Sequence, residues 1–176
     1  MRFLAISGSL RAASSNTAVL QAIARLAPAG VTIELYDKLG ELPHFNPDFD
    51  NEHLPAIVAE FRGLIGAVDG VLISSPEYAR GVPGTLKNAL DWLVGSFEFP
   101  NKCVALINVS PRATHAQASL TTTLETMSAR LVAEASVTLP LLGTTLGADE
   151  IIAQPELAEP LRQAIAAFAR GIEAEA

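Results

Sequence analysis

The chain has 176 residues, 49% of them hydrophobic and 18% charged, with a formal net charge of −7. This is the composition of one globular domain, residues 1–176, rather than of a disordered segment, and the acidic balance argues against non-specific binding to nucleic acid or anionic membranes. The single cysteine, Cys103, excludes an internal disulfide and reads as a buried structural thiol. No apolar run approaches the ~18 residues of a bilayer span, so no membrane insertion is expected.

Met1 and Arg2 lead directly into an apolar run, Phe3–Ile6, which reads as a first strand. No basic segment followed by a long apolar stretch precedes it, so no signal peptide is read and the cytoplasm is the expected compartment. A polar turn follows, then helical spacing at Asn16, Val19, Leu20, Ile23 and Ala27. Val31–Leu35 reads as a second strand. The connection from Lys38 to Pro55 holds Pro43, Pro47 and Pro55 among Asn46, Asp48, Asp50 and Asn51, too many turn formers for a regular element. Long ordered loops of this kind are often functional or interfacial.

Helical spacing returns at Ile57, Phe61, Leu64, Ile65 and Val68, and Val71–Ile73 is a third strand. Leu86, Ala89, Leu90, Leu93 and Val94 follow as a helix, and Val104–Val109 as a fourth strand. Leu120, Leu124, Met127 and Leu131 form another helical stripe, Ser136–Leu139 a fifth strand, and Leu161, Ile165, Phe168 and Ile172 a last helix. Strands that are short, continuous and apolar, each followed by an amphipathic helix, make a parallel sheet covered on both faces. Right-handed crossovers leave few topologies. A doubly wound α/β sandwich in the flavodoxin-like order 2-1-3-4-5 is the simplest, with an NAD-type Rossmann domain as the competitor. Ligands of such sheets bind at the carboxyl ends of the strands, so the loops after strands one, three and four carry the functional information.

The first of these, Gly8-Ser9-Leu10-Arg11-Ala12-Ala13-Ser14-Ser15-Asn16, is crowded with hydroxyls and carries one guanidinium. Free amides at a helix N-terminus and a charge-assisted arginine suit a dianionic phosphate. An ordinary helix cap is the alternative, since Ser and Asn are preferred caps, although a cap needs only one such residue. After the third strand, Pro76, Gly81, Pro83 and Gly84 keep the chain irregular, leaving backbone groups free at the sheet's carboxyl edge. Such groups suit the edge of a flat heteroaromatic ring, with Tyr78 as a rigid wall; a two-proline turn that merely starts a helix is the alternative. Arg112 and His115, in Ser110-Pro111-Arg112-Ala113-Thr114-His115 after strand four, read either as solvated side chains or as contacts for a nucleotide phosphate or anionic substrate.

Taken together, the two long loops resemble the NADPH-dependent FMN reductase family, a flavodoxin-like group that includes bacterial quinone, chromate and azo-dye reductases. Gly8, Ser9, Arg11, Ser14 and Asn16 match its Gly-Ser-x-Arg-x-x-Ser-x-Asn motif. Pro76, Glu77, Tyr78, Pro83, Gly84, Leu86, Lys87, Asn88, Ala89, Asp91 and Trp92 match its second motif, in which Ala79 and Gly81 replace the usual Asn and Ser.

The resemblance implies a three-layer sandwich on a five-stranded parallel sheet, and FMN held without a covalent bond. Ser9, Arg11, Ser14, Ser15, Asn16 and Thr17 would cradle the phosphate. Pro76, Glu77, Tyr78, Ala79, Arg80 and Gly81 would edge the ring, and Ser110 would approach it from the third loop. The same resemblance implies NADPH or NADH as reductant, a small-molecule acceptor such as a quinone, and a homodimer or homotetramer. The Lys38–Pro55 loop and the Trp92 region are the expected partner contacts.

No side chain is nominated as acid, base or nucleophile, because the cofactor of a flavin reductase carries that chemistry. His44, His53 and His115 lack metal-ligand spacing, and there is no Walker A sequence, Gly-x-Gly-x-x-Gly fingerprint or Gly-x-Ser-x-Gly elbow. Three readings stand: an NAD(P)H-dependent FMN/quinone reductase, an FMN-binding electron carrier that takes no hydride from NAD(P)H, and a flavin-free relative using the phosphate site for another anion.

Overall fold

Phe3 and Ala5 of the first strand face one side of a sheet and Leu4 and Ile6 the other, and all four are buried. A strand buried on both faces needs a helical layer on each side, and the computed structural model, which describes residues 1–174, has that arrangement. The strands are β1 (Arg2–Ser7), β2 (Thr32–Tyr36), β3 (Gly70–Ser74), β4 (Cys103–Asn108), β5 (Arg130–Leu131) and β6 (Val137–Thr138). The helices are α1 (Ser15–Leu26), α2 (Ala56–Ala67), α3 (Gly84–Val94), α4 (Thr114–Thr126), α5 (Ala148–Ala153) and α6 (Pro155–Glu173).

The sheet is parallel in the order β2-β1-β3-β4-β5, with β6 also paired to β4. That is the 2-1-3-4-5 order of the flavodoxin-like reading. One core lies under α2, α3 and α4, built on Val58, Phe61, Ile65, Leu86, Leu90 and Trp92. The other lies under α1, α5 and α6, built on Val19, Leu20, Ile23, Leu161, Ile165 and Phe168. A Cβ on Gly70 would lie 2.6 Å from the Phe168 ring, so only glycine at the start of β3 lets that ring reach Phe3, which it meets edge-on at a centroid distance of 4.9 Å.

Four local readings are corrected. The fifth strand is split: β5 pairs with the start of β4 and β6 with its end, because a 3₁₀ turn at Ala133–Ala135 lifts the chain between them. The helical stripe ending at Leu131 overruns α4. Ser128 adopts φ 61°, and the Ala129 N–H donates to the Leu124 carbonyl, closing a Schellman-type end without the usual glycine. Leu131 is strand. Helix α5 carried no periodic signal; it sits against α1 through Ile151 and the Arg25–Asp149 pair. Helix α6 starts at Pro155 rather than near Leu161, so Pro160 lies inside it and forgoes one backbone bond, offset by burial of Leu157 and Ala158.

The long Lys38–Pro55 connection is fixed to α3 by two residues of the second motif. Asn88 accepts from the Phe45 N–H at 2.7 Å and donates to the Pro43 carbonyl at 2.9 Å; Trp92 Nε1 donates to the same carbonyl at 2.8 Å, and its ring meets Phe45 edge-on. Trp92 is fully buried within its own chain and so offers no surface to a partner. Among the described residues no helix is long and apolar enough to cross a membrane.

Candidate functional site

The parallel strands end at the same edge of the sheet, and the loops that leave β1, β3, β4 and β6 enclose a cavity of about 530 Å³, within the usual range of small-molecule sites. Gly8 brings the first loop close: its N–H donates to the Ser74 carbonyl at 2.8 Å, and a Cβ there would lie 3.0 Å from Leu86 and 3.1 Å from the Ser75 hydroxyl. The turn then runs into α1. Ser14 caps that helix, its hydroxyl accepting from the Thr17 N–H at 3.4 Å and its carbonyl from the Ala18 N–H at 2.9 Å. Among the described residues this leaves the Ser15 and Asn16 amides without a partner, together with the Arg11 guanidinium, so the turn caps the helix and still keeps donors over. Asn16 is buried; its Oδ1 accepts from the Ser74 hydroxyl at 2.9 Å, which fixes the amide plane against β3.

Of the residues expected at the phosphate, Ser9, Arg11, Ser14, Ser15 and Asn16 line the cavity. Thr17 does not: its hydroxyl pairs with that of Ser7 at 2.8 Å, and it faces a smaller neighbouring cavity.

The loop after β3 differs from its expected form. Its backbone is closed in part, because Tyr78 and Gly81 exchange two hydrogen bonds, 3.1 and 2.9 Å, across a two-residue turn. Both central residues are left-handed, Ala79 at φ 49° and Arg80 at φ 60°, where Asn and Gly are the favoured residues. Pro76, Glu77 and half-exposed Tyr78 line the cavity, whereas Ala79, Arg80 and Gly81 lie beyond its lining. Glu77 does more than wall the site. Its Oε2 accepts from the Ala116 N–H, in the first turn of α4, at 2.8 Å, tying the loop after β3 to the loop after β4.

In that third loop Asn108 Oδ1 accepts from the Ser110 N–H at 3.0 Å, and Ser110 and Arg112 both line the cavity; His115 does not. The residues that sequence reasoning missed are Ser75, Val109, Ala113 and the segment Leu141–Thr145, which closes the far side after β6. The rule that pointed to the other loops applies there as well, and Gly143, at φ 81°, marks the turn.

The donor set therefore fits a phosphate at one end and a flat ring at the other, against Tyr78, Val109, Leu141 and Leu142. A family model described as NADPH-dependent FMN reductase matches residues 1–141. The chain is 41% identical over 112 residues to an NAD(P)H-dependent FMN reductase of Pseudomonas aeruginosa, an overlap covering 62% of this chain and 60% of that protein. It is 40% identical over 113 residues to a quinone reductase of Pseudomonas putida, covering 61% and 59%. The chain thus spans about 60% of the length of these curated relatives. Among solved structures, a flavoenzyme NAD(P)H:(acceptor) oxidoreductase from Paracoccus denitrificans superposes with a TM-score of 0.79 at 28% identity, covering 98% of this chain and 97% of that one. The family match runs through the turn into α1, the whole Pro76–Trp92 stretch and the Ser110 loop, and the chain belongs to the NADPH-dependent FMN reductase family.

Proposed function

We propose that the protein is an FMN-dependent NAD(P)H oxidoreductase that reduces a quinone or similar small acceptor. The observation that carries this reading is the juxtaposition, in one cavity at the carboxyl edge of the sheet, of an apolar wall with Arg11 and a helix N-terminus whose Ser15 and Asn16 amides have no partner among the described residues. When bound, FMN supplies the hydride acceptance and delivery that side chains cannot.

The chain's own residues bind and orient. The Ser15 and Asn16 amides, the Ser9 and Ser14 hydroxyls and Arg11 meet the phosphate. About four or five such bonds at roughly 1.5–3 kcal/mol each give a gross gain of the same order as the 4–15 kcal/mol or so that association costs. The apolar wall must therefore contribute to affinity. Glu77 holds two loops in one geometry and keeps the wall in place. The cytoplasm, where NAD(P)H is available to a freely diffusing enzyme, is the compartment this reading implies. A homodimer or homotetramer belongs to it too, with exposed Val94 and Phe97 as apolar surface to be covered; sedimentation as a monomer at micromolar concentration overturns that part.

The deciding experiment is the visible spectrum of the purified protein with added FMN, before and after anaerobic NADPH or NADH. Flavin uptake followed by bleaching is expected. A protein that takes up no FMN overturns the cofactor assignment. One that binds FMN but is bleached by neither nucleotide is an electron carrier instead.

A further inference from the structure

Among the described residues only three charged side chains line the cavity: Arg11, Arg112 and Glu77. The Glu77 carboxylate accepts from the Ala116 N–H, and the charged lining carries two guanidiniums to one carboxylate in a chain of net charge −7. Two arginines elsewhere are used by the fold: Arg62 pairs with Asp50 and donates to the Trp92 carbonyl, and Arg25 pairs with Asp149. Arg112 is not. Its backbone is fixed in a tight turn, where its N–H donates to the Ser110 hydroxyl at 3.2 Å and the Ala113 N–H donates to the Ser110 carbonyl at 3.1 Å. Its guanidinium has no partner among the described residues.

Arg11 and Arg112 also sit apart. They follow β1 and β4, which β3 separates in the sheet, so their strands lie about 10 Å from each other. FMN carries one phosphate, and the α1 end of the cavity accounts for it. The Arg112 guanidinium, two strands away and without a partner among the described residues, is free to address a different anion bidentately.

We propose that Arg112 is the recognition point for an anionic oxygen group, phosphate or carboxylate, on the molecule that enters the cleft beside the flavin. The group has two possible sources, the 2′-phosphate of NADPH or a carboxylate on an acidic acceptor. This inference rests on the flavin reading of the site and adds to it the charge of the second ligand.

The test uses FMN-loaded wild type and Arg112→Ala, with flavin uptake by each protein read first by absorbance. Calorimetric titrations with NADP⁺ and NAD⁺ form one arm, and titrations with a carboxylate-bearing naphthoquinone and its uncharged methyl ester form the other. In one arm the anionic member binds wild type at least about tenfold more tightly than its partner, and R112A erases the difference while FMN affinity is unchanged. The arm that responds names the source. Equal binding within both pairs in wild type, ratios that R112A does not move, or a loss of FMN affinity in R112A overturns this inference alone. Wild type that takes up no flavin overturns the reading of the site and this inference with it.

Discussion

In the turn after β1 the Ser15 and Asn16 amides and the Arg11 guanidinium have no partner among the described residues, whereas in the loop after β3 the Tyr78 and Gly81 N–H groups each donate to the other's carbonyl and Glu77 accepts from a neighbouring helix. The first loop keeps its donors for a ligand and rests on a well-capped helix. The second spends its hydrogen bonds on its own shape and holds two residues in left-handed backbone. The comparison teaches that the two ends of the cavity achieve order differently: one by a helix start that leaves donors over, the other by a strained turn that a side-chain tether holds in place.

That contrast is sharpened first at Arg11. Arg11→Ala should weaken FMN binding by at least about 1.5 kcal/mol in a fluorescence titration, the range of one charge-assisted bond, while the denaturation midpoint stays put. Unchanged affinity would remove Arg11 from the site. The second loop should behave the opposite way. Glu77→Ala should cost about 1–2 kcal/mol of stability in urea unfolding, as a lost helix-start acceptor does, and Glu77→Gln should recover most of it because an amide oxygen still accepts. If Gln is as damaging as Ala, the carboxylate serves something other than the Ala116 amide.

Ala79→Asn or Ala79→Gly should raise stability by about 0.5–1 kcal/mol in thermal unfolding, since both tolerate the φ of 49° that alanine resists. Destabilisation by both would show that the turn is not strained in solution.

Tyr36, outside both loops, gives a comparison in which no ligand takes part. Burial first, and then Glu60, Glu41 and Asp37, push its phenol from 10.0 up to about 12, and its hydroxyl is buried with no partner among the described residues. The folded protein thus holds this proton after the unfolded chain has released it. The associated stability is whole below pH 10 and is lost as pH rises towards about 12. Tyr36→Phe should be nearly neutral at pH 7 and should flatten that alkaline decline in unfolding measured against pH. A decline of the same steepness in Tyr36→Phe would assign it to other groups.

Much of the fold was legible because it rests on periodicity. The stripes at Val19–Ile23, Phe61–Ile65 and Leu86–Leu93 each face a strand that is apolar throughout, and those elements form where the spacing places them. The misreadings fall where a local signal was missing or misleading. Ser128 ends α4 in a left-handed conformation without a glycine to announce it. The stripe at Leu161–Ile172 starts a turn and a half into α6, and Pro160 is carried inside that helix by the burial around it. At the site, the turn into α1 was legible because hydroxyls, arginine and glycine are local signals. The closed turn at Tyr78–Gly81 was not, because Ala79 and Arg80 are poor turn formers, and the tether from Glu77 crosses 39 residues to Ala116.

The amino-acid sequence by itself determined the layering of this protein, the family motifs and the chemistry of its first loop, since each depends on residue type and short spacing. Tertiary structure alone decided that Asn88 and Trp92 serve the fold by pinning the Lys38–Pro55 loop, that Leu141–Thr145 closes the cavity, and that Arg112 lines it with no partner among the described residues. Those facts depend on which strand ends the sheet order brings together, and no local pattern encodes a hydrogen bond between elements dozens of residues apart.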